Sequence, residues 1–293
     1  MNNDVPTARS IPAAPGFLAS GLRIFDLSLG EMLWSRRTIF MLLVVGVPVF
    51  IACVLRLVVG LGAPVFEDHR TTQNGVTQTI RMTGPGIFGF MIWVLYVRFI
   101  VPVLGVFYGT SLMADEIEDK TITYLFTRPI RRGAVLFGKY LAYLGCTVFV
   151  VLPSVMLVYL LIVPMQGSLG ASFIDLLKDL IVLALGLAVY GAAFAFVGAK
   201  FKRPLIVGLI FIFGWEQAAL AFPGYLKRFT IAYYLQGLVP HAMPSDSVLS
   251  LIQGAFRESP TLAGSLLGIA VILVVFVSLA VWIVERREYV LEQ

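Results

Sequence analysis

Charge is what this sequence has least of. Only 13% of its 293 residues are Asp, Glu, Lys or Arg, where a soluble domain carries about 25%. A chain that is 59% hydrophobic, with a mean hydropathy of +0.90, belongs with the integral membrane proteins. Histidine and cysteine are also scarce, at two each. His69 stands beside Glu67 and Asp68, and His241 near Met243. Lone histidines on loops are solvated rather than ligating, so no metal centre is expected. Cys53 and Cys146 both fall in apolar segments and are expected to act as packing residues. No Ser-His-Asp or Cys-His arrangement can be argued from the spacing. The formal charge is +5, but the basic residues flank hydrophobic runs instead of gathering on a polar domain, which argues against nucleic acid as a partner.

A nucleotide site is missing as well. Gly133 to Lys139 fits G-x-x-x-x-G-K, but Tyr140 stands where a phosphate loop needs Ser or Thr for Mg²⁺. The residues before it are RPIRR and those after it are apolar, whereas a phosphate loop follows a buried strand. The chain is therefore not expected to be an enzyme, nor to bind a cofactor itself.

What is present in quantity is long apolar sequence. A hydrocarbon core of ~30 Å needs about 20 helical residues, and six segments are long enough: about 39–61, 86–113, 134–163, 174–199, 205–222 and 262–284. Pro48, Pro102 and Pro153 lie inside three of them and predict kinks. Residues 1–16 are polar, with no signal-peptide core, and read as a disordered cytoplasmic tail. In 17–37, Leu18, Leu22, Phe25, Leu29 and Met32 recur at helical spacing among charges, which predicts an interfacial helix. Lys and Arg sort strongly. Arg23, Arg36, Arg37, Lys120, Arg128, Arg131, Arg132, Lys139, Lys200, Lys202, Arg203, Arg286 and Arg287 fall on one side. Arg70, Arg81, Lys227, Arg228 and Arg257 fall on the other, with Lys178 at a helix edge. That bias places both termini in the cytoplasm. Outside, Asn74-Gly75 between Thr- and Val-rich flanks predicts a hairpin with a type I′ turn. In the long last outer loop, the semi-apolar piece 229–243 is too short to cross and is expected to dip into the outer leaflet.

Two intramembrane charges stand out, since a charge at bilayer depth costs ~2.5–3.5 kcal/mol on insertion scales. Arg98 in the second span and Glu216 in the fifth fall at similar depths. They are expected either to pair or to face a polar path, or else to snorkel outward independently. Gly191, Ala195 and Ala199, then Gly214 and Ala218, carry the small-residue spacing of close helix packing, expected inside the protomer.

The one dense run of charge lies between the second and third spans. Asp115, Glu116, Glu118 and Asp119 come first, followed by Lys120, Arg128, Arg131, Arg132 and Lys139. Acids in the opening turn and cations near the close favour a helix through its macrodipole, and Pro129 stops it. A short cytoplasmic helix over about 115–127 follows. It displays Tyr124, Leu125 and Phe126 beside charge, which is poorly explained without a partner.

Glu116 and Glu118, then Thr121, Leu125, Pro129, Arg132 and Gly138-Lys139 entering the third span resemble the permease subunits of type-2 ABC exporters. That family includes drug, antibiotic-resistance and copper-enzyme-maturation permeases. The departure is Lys120, where the family usually has Gly; a helix-favouring residue there makes the segment straighter. The resemblance implies an all-α integral membrane protein. It would have six transmembrane helices, an N-terminal interfacial helix and a short coupling helix, all in one transmembrane domain over 17–293. It also implies ATPase coupling through Asp115, Glu116, Glu118, Asp119, Thr121, Tyr124, Leu125, Pro129, Arg132 and Lys139. Arg98 and Glu216 would flank the translocation path. ATP and Mg²⁺ would sit on two copies of a separate cytoplasmic ATPase subunit, and a second permease chain would complete the assembly in the bacterial inner membrane. The expected function is ATP-driven export of an amphipathic or lipid-like substrate. The alternative is a force-transmitting subunit acting on a periplasmic partner.

Overall fold

The computed structural model describes residues 16–62, 69–73, 76–80, 83–118, 132–165, 167–221, 225–240 and 260–286. Apart from one hairpin, the described secondary structure is helical. Five helices are long and apolar enough to cross a membrane: Arg37–Gly60, Gly84–Ala114, Arg132–Met165, Phe173–Lys200 and Leu262–Arg286. We call them the first, second, third, fourth and last spans.

The sixth expected crossing, 205–222, is the shorter apolar helix Pro204–Ala219, whose helical backbone continues to Ala221, where the described residues break off. Pro204 starts it, where a missing N–H costs nothing.

Burial shows how the spans are layered. The fourth is 67% buried and the last only 17%. Leu266, Leu267, Val271, Val274 and Trp282 of the last span point away from the bundle, as do Leu43, Phe50 and Leu57 of the first. The second span passes along the fourth so closely that small residues are required. A β carbon at Gly109 would lie 2.8 Å from Phe194 Cβ, and one at Gly198 would overlap the Thr110 carbonyl. Gly191, Ala195 and Ala199 of the fourth span are all buried, Gly191 against the Tyr143 ring of the third span. Gly214 and Ala218, by contrast, face outward on the short helix. Cys146 is buried, whereas Cys53, also expected to pack, is exposed on the first span.

Hydroxyls tie the interior together. From the third span, Tyr140 donates to the Ala188 carbonyl at 2.8 Å and Tyr143 to that of Leu187 at 3.0 Å.

The N-terminal helix Phe17–Leu33 stops at an elbow, where Ser35 Oγ and Thr38 Oγ1 both donate to the Met32 carbonyl. It lies along the first turns of the third span: Gly21 and Ile24 against Gly138, then Phe25 and Leu29 against Gly145. Between the first two spans, β1 (His69–Gln73) and β2 (Val76–Ile80) pair antiparallel, with Gln73 opposite Val76. The connection is therefore two residues, as Asn74-Gly75 suggested. Those two residues, like the 1–15 tail, lie outside the described residues.

Candidate functional site

Two regions hold the candidate residues, and the second span joins them. At its C-terminal end the backbone runs through the helix Ser111–Glu118. Asp115, Glu116 and Glu118 therefore sit on a helix that starts at Ser111, not on one starting at Asp115 as expected. Ser111 Oγ donates to the Tyr108 carbonyl at 2.9 Å, so no polar linker separates the acids from the membrane helix. Asp119, Thr121, Tyr124, Leu125 and Pro129 lie outside the described residues.

Arg132 opens the third span, and Lys139 lies two turns further on, both half-buried. The stretch from Gly133 to Tyr140 is helical throughout and so forms no phosphate loop. Its glycines have packing reasons. A β carbon on Gly133 would lie 2.7 Å from Val281 Cγ1 and 2.9 Å from Glu285 Oε1 of the last span. One on Gly138 would lie 2.5 Å from the Gly21 carbonyl oxygen. The start of the third span is thus wedged between the N-terminal helix and the last span.

Deeper in the bundle, both intramembrane charges occur in π-helical turns. Arg98 belongs to Ile92–Ile100 and Glu216 to Phe211–Glu216. Pro102 gives a local cause for the first. It has no N–H for the Arg98 carbonyl one turn back, and wider turns re-route the ladder, with Val101 N–H donating to the Tyr96 carbonyl. Such turns gather at functional positions. Arg98 Nη2 donates to Gln217 Oε1 at 3.1 Å, and its guanidinium lies 5.8 Å from the centre of the Trp93 ring.

Glu216, next to Gln217, is only 3% exposed. Tyr190 of the fourth span donates its hydroxyl to Oε2, and the backbone N–H of Ile231 donates to Oε1 at 3.2 Å. The second span, the fourth span and the short apolar helix therefore converge on a cluster of polar side chains.

Sequence reasoning found Arg98 and Glu216 because charges are conspicuous in apolar runs. It missed Tyr190, which looks like any aromatic in a buried helix. It also missed Asp179, a fully buried carboxylate of the fourth span. The available signal was its place four residues after Asp175, inside an expected crossing. Asp175 itself pairs with Lys178 at 3.0 Å on the exposed side.

A bundle of long apolar helices around a polar cluster, with an acidic helix continuing one span, defines a multi-pass membrane protein of the transporter class. Residues 31–289 match the ABC-2 family transporter protein family, and the chain belongs to it. It is a permease subunit of that type and works in an ABC system with an ATPase. A search among curated proteins finds no match.

Proposed function

We propose that this chain is the permease half of an ATP-driven exporter for an amphipathic or lipid-like substrate. Two copies of a cytoplasmic ATPase subunit and a second permease chain complete it in a bacterial inner membrane, with both termini cytoplasmic. ATP and Mg²⁺ belong to the ATPase. In this reading Pro204–Ala219 completes the crossing with help from the outer loop that follows it, giving six passages.

The observation that carries the proposal is mechanical. Asp115, Glu116 and Glu118 stand on a helix that continues the second span, and the same span carries Arg98 into the polar cluster. Force applied to the acids from the cytosol therefore reaches the intramembrane charges through a helix, not through a flexible loop. Arg132 and Lys139, held between the N-terminal helix and the last span, would receive the other end of the ATPase-facing segment.

The test is Glu116→Lys in the full chain, expressed with its ATPase. Membrane insertion and elution behaviour should be unchanged, while co-purification of the ATPase and stimulated hydrolysis should fall. If both stay at the parent level, the coupling role is refuted.

A further inference from the structure

The first backbone N–H groups of a helix have no partner within it, and at membrane depth no water is available to serve them. The short helix Ile231–Gln236, in the chain after Pro204–Ala219, faces this problem acutely: Ile231, Ala232 and Leu235 are all buried. Thr230 solves part of it, since its Oγ1 accepts from Tyr233 N at 3.3 Å. The rest comes from another element. Glu216 Oε1 takes the Ile231 N–H, and the Ala232 amide lies against the same carboxylate.

Packing holds the same helix from the other sides. A β carbon at Gly186 of the fourth span would meet Val101 Cγ1 at 3.1 Å and Leu235 Cδ1 at 3.3 Å, so all three elements meet there. The Tyr234 ring fills the space that Gly268 of the last span leaves open.

We propose that Glu216 is a positioning residue. It caps Ile231–Gln236 from the neighbouring helix, docks the last outer loop onto the second, fourth and last spans, and passes movement of the second span to the outer face. The last step rests on the ATP-driven reading above; the docking does not.

The probe is a hydrophilic maleimide reacting with Gln236→Cys in a Cys53→Ser background, with the full chain in lipid nanodiscs. Glu216→Met keeps the volume and loses the acceptor. It should label about fivefold faster than the parent, the effect of a lost cap on local opening. Glu216→Gln retains an acceptor and should stay close to the parent. Equal rates in the parent and Glu216→Met overturn the proposal. A Gln variant as fast as Met also overturns it, because the effect would then belong to the charge and not to the cap.

With the ATPase assembled, trapping with ATP and vanadate should change the parent's rate and leave that of Glu216→Met unchanged. If the parent gives no response to nucleotide, the ATP-driven reading fails and the docking result stands. If both proteins respond alike, the docking role fails as a relay.

Discussion

Replacing Gly138 with alanine tests whether the N-terminal helix is truly built onto the third span. The added methyl would stand 2.5 Å from the Gly21 carbonyl oxygen and 2.9 Å from Ile24 Cβ. Carbon contacts are relaxed only at about 3.5–4.0 Å, so the helices must part by about 1 Å. Overpacking of this kind costs about 1–3 kcal/mol, while the better helix propensity of alanine returns about 1 kcal/mol. Gly46 supplies the control, because a β carbon there meets nothing within 4 Å. Its alanine variant collects the propensity gain alone. In the difference between the two variants propensity cancels, leaving about 1–3 kcal/mol from the clash.

The measurement is trypsin cleavage at Arg23, which is exposed on the N-terminal helix, in the purified full chain. Undocking should make Gly138→Ala at least about fivefold more susceptible than Gly46→Ala, the ratio that 1 kcal/mol gives. Equal cleavage rates would refute the reasoning, because the close approach of the two backbones would then have no energetic consequence.

Gly198→Ala should behave similarly at the other tight crossing. Its β carbon meets the Thr110 backbone, one residue before the acidic helix. The clash costs about 1–3 kcal/mol against the propensity gain that Gly46→Ala collects alone, so its Tm in detergent should fall below that of Gly46→Ala; equal Tm values argue against the crossing. For the intramembrane charges, Arg98→Glu and Glu216→Arg should each lower ATPase-coupled hydrolysis, and the double reversal should restore part of it. If the reversal restores nothing that the single changes lose, Arg98 and Glu216 do not act as a pair.

The sequence was most informative where the physics is one-dimensional. The apolar runs at 39–61, 134–163, 174–199 and 262–284 have only one way to bury backbone in lipid, and each appears as a helix within a few residues of the expectation. Asn74-Gly75 foretold a hairpin because few dipeptides tolerate that turn. The run 205–222 also appears as an apolar helix, Pro204–Ala219. What its composition did not reveal was three-dimensional: Glu216 faces Tyr190 and Ile231, residues 26 and 15 positions away in the chain. Partners at that distance leave no periodic trace. Cys53 shows the same limit, because an apolar neighbourhood in sequence does not say which side of a helix looks inward.

The contrast between the enclosed fourth span and the outward-facing last span has a bearing on how such a chain can vary. At Leu266, Val271 or Val274, exchange among leucine, valine and phenylalanine alters mainly which acyl chains the side chain touches, so the outer surface can drift with membrane thickness and fluidity. At Gly186, Gly191 or Gly198 a single extra carbon runs into a neighbouring span. Adaptation to a new lipid environment is therefore open to the periphery and closed to the axis.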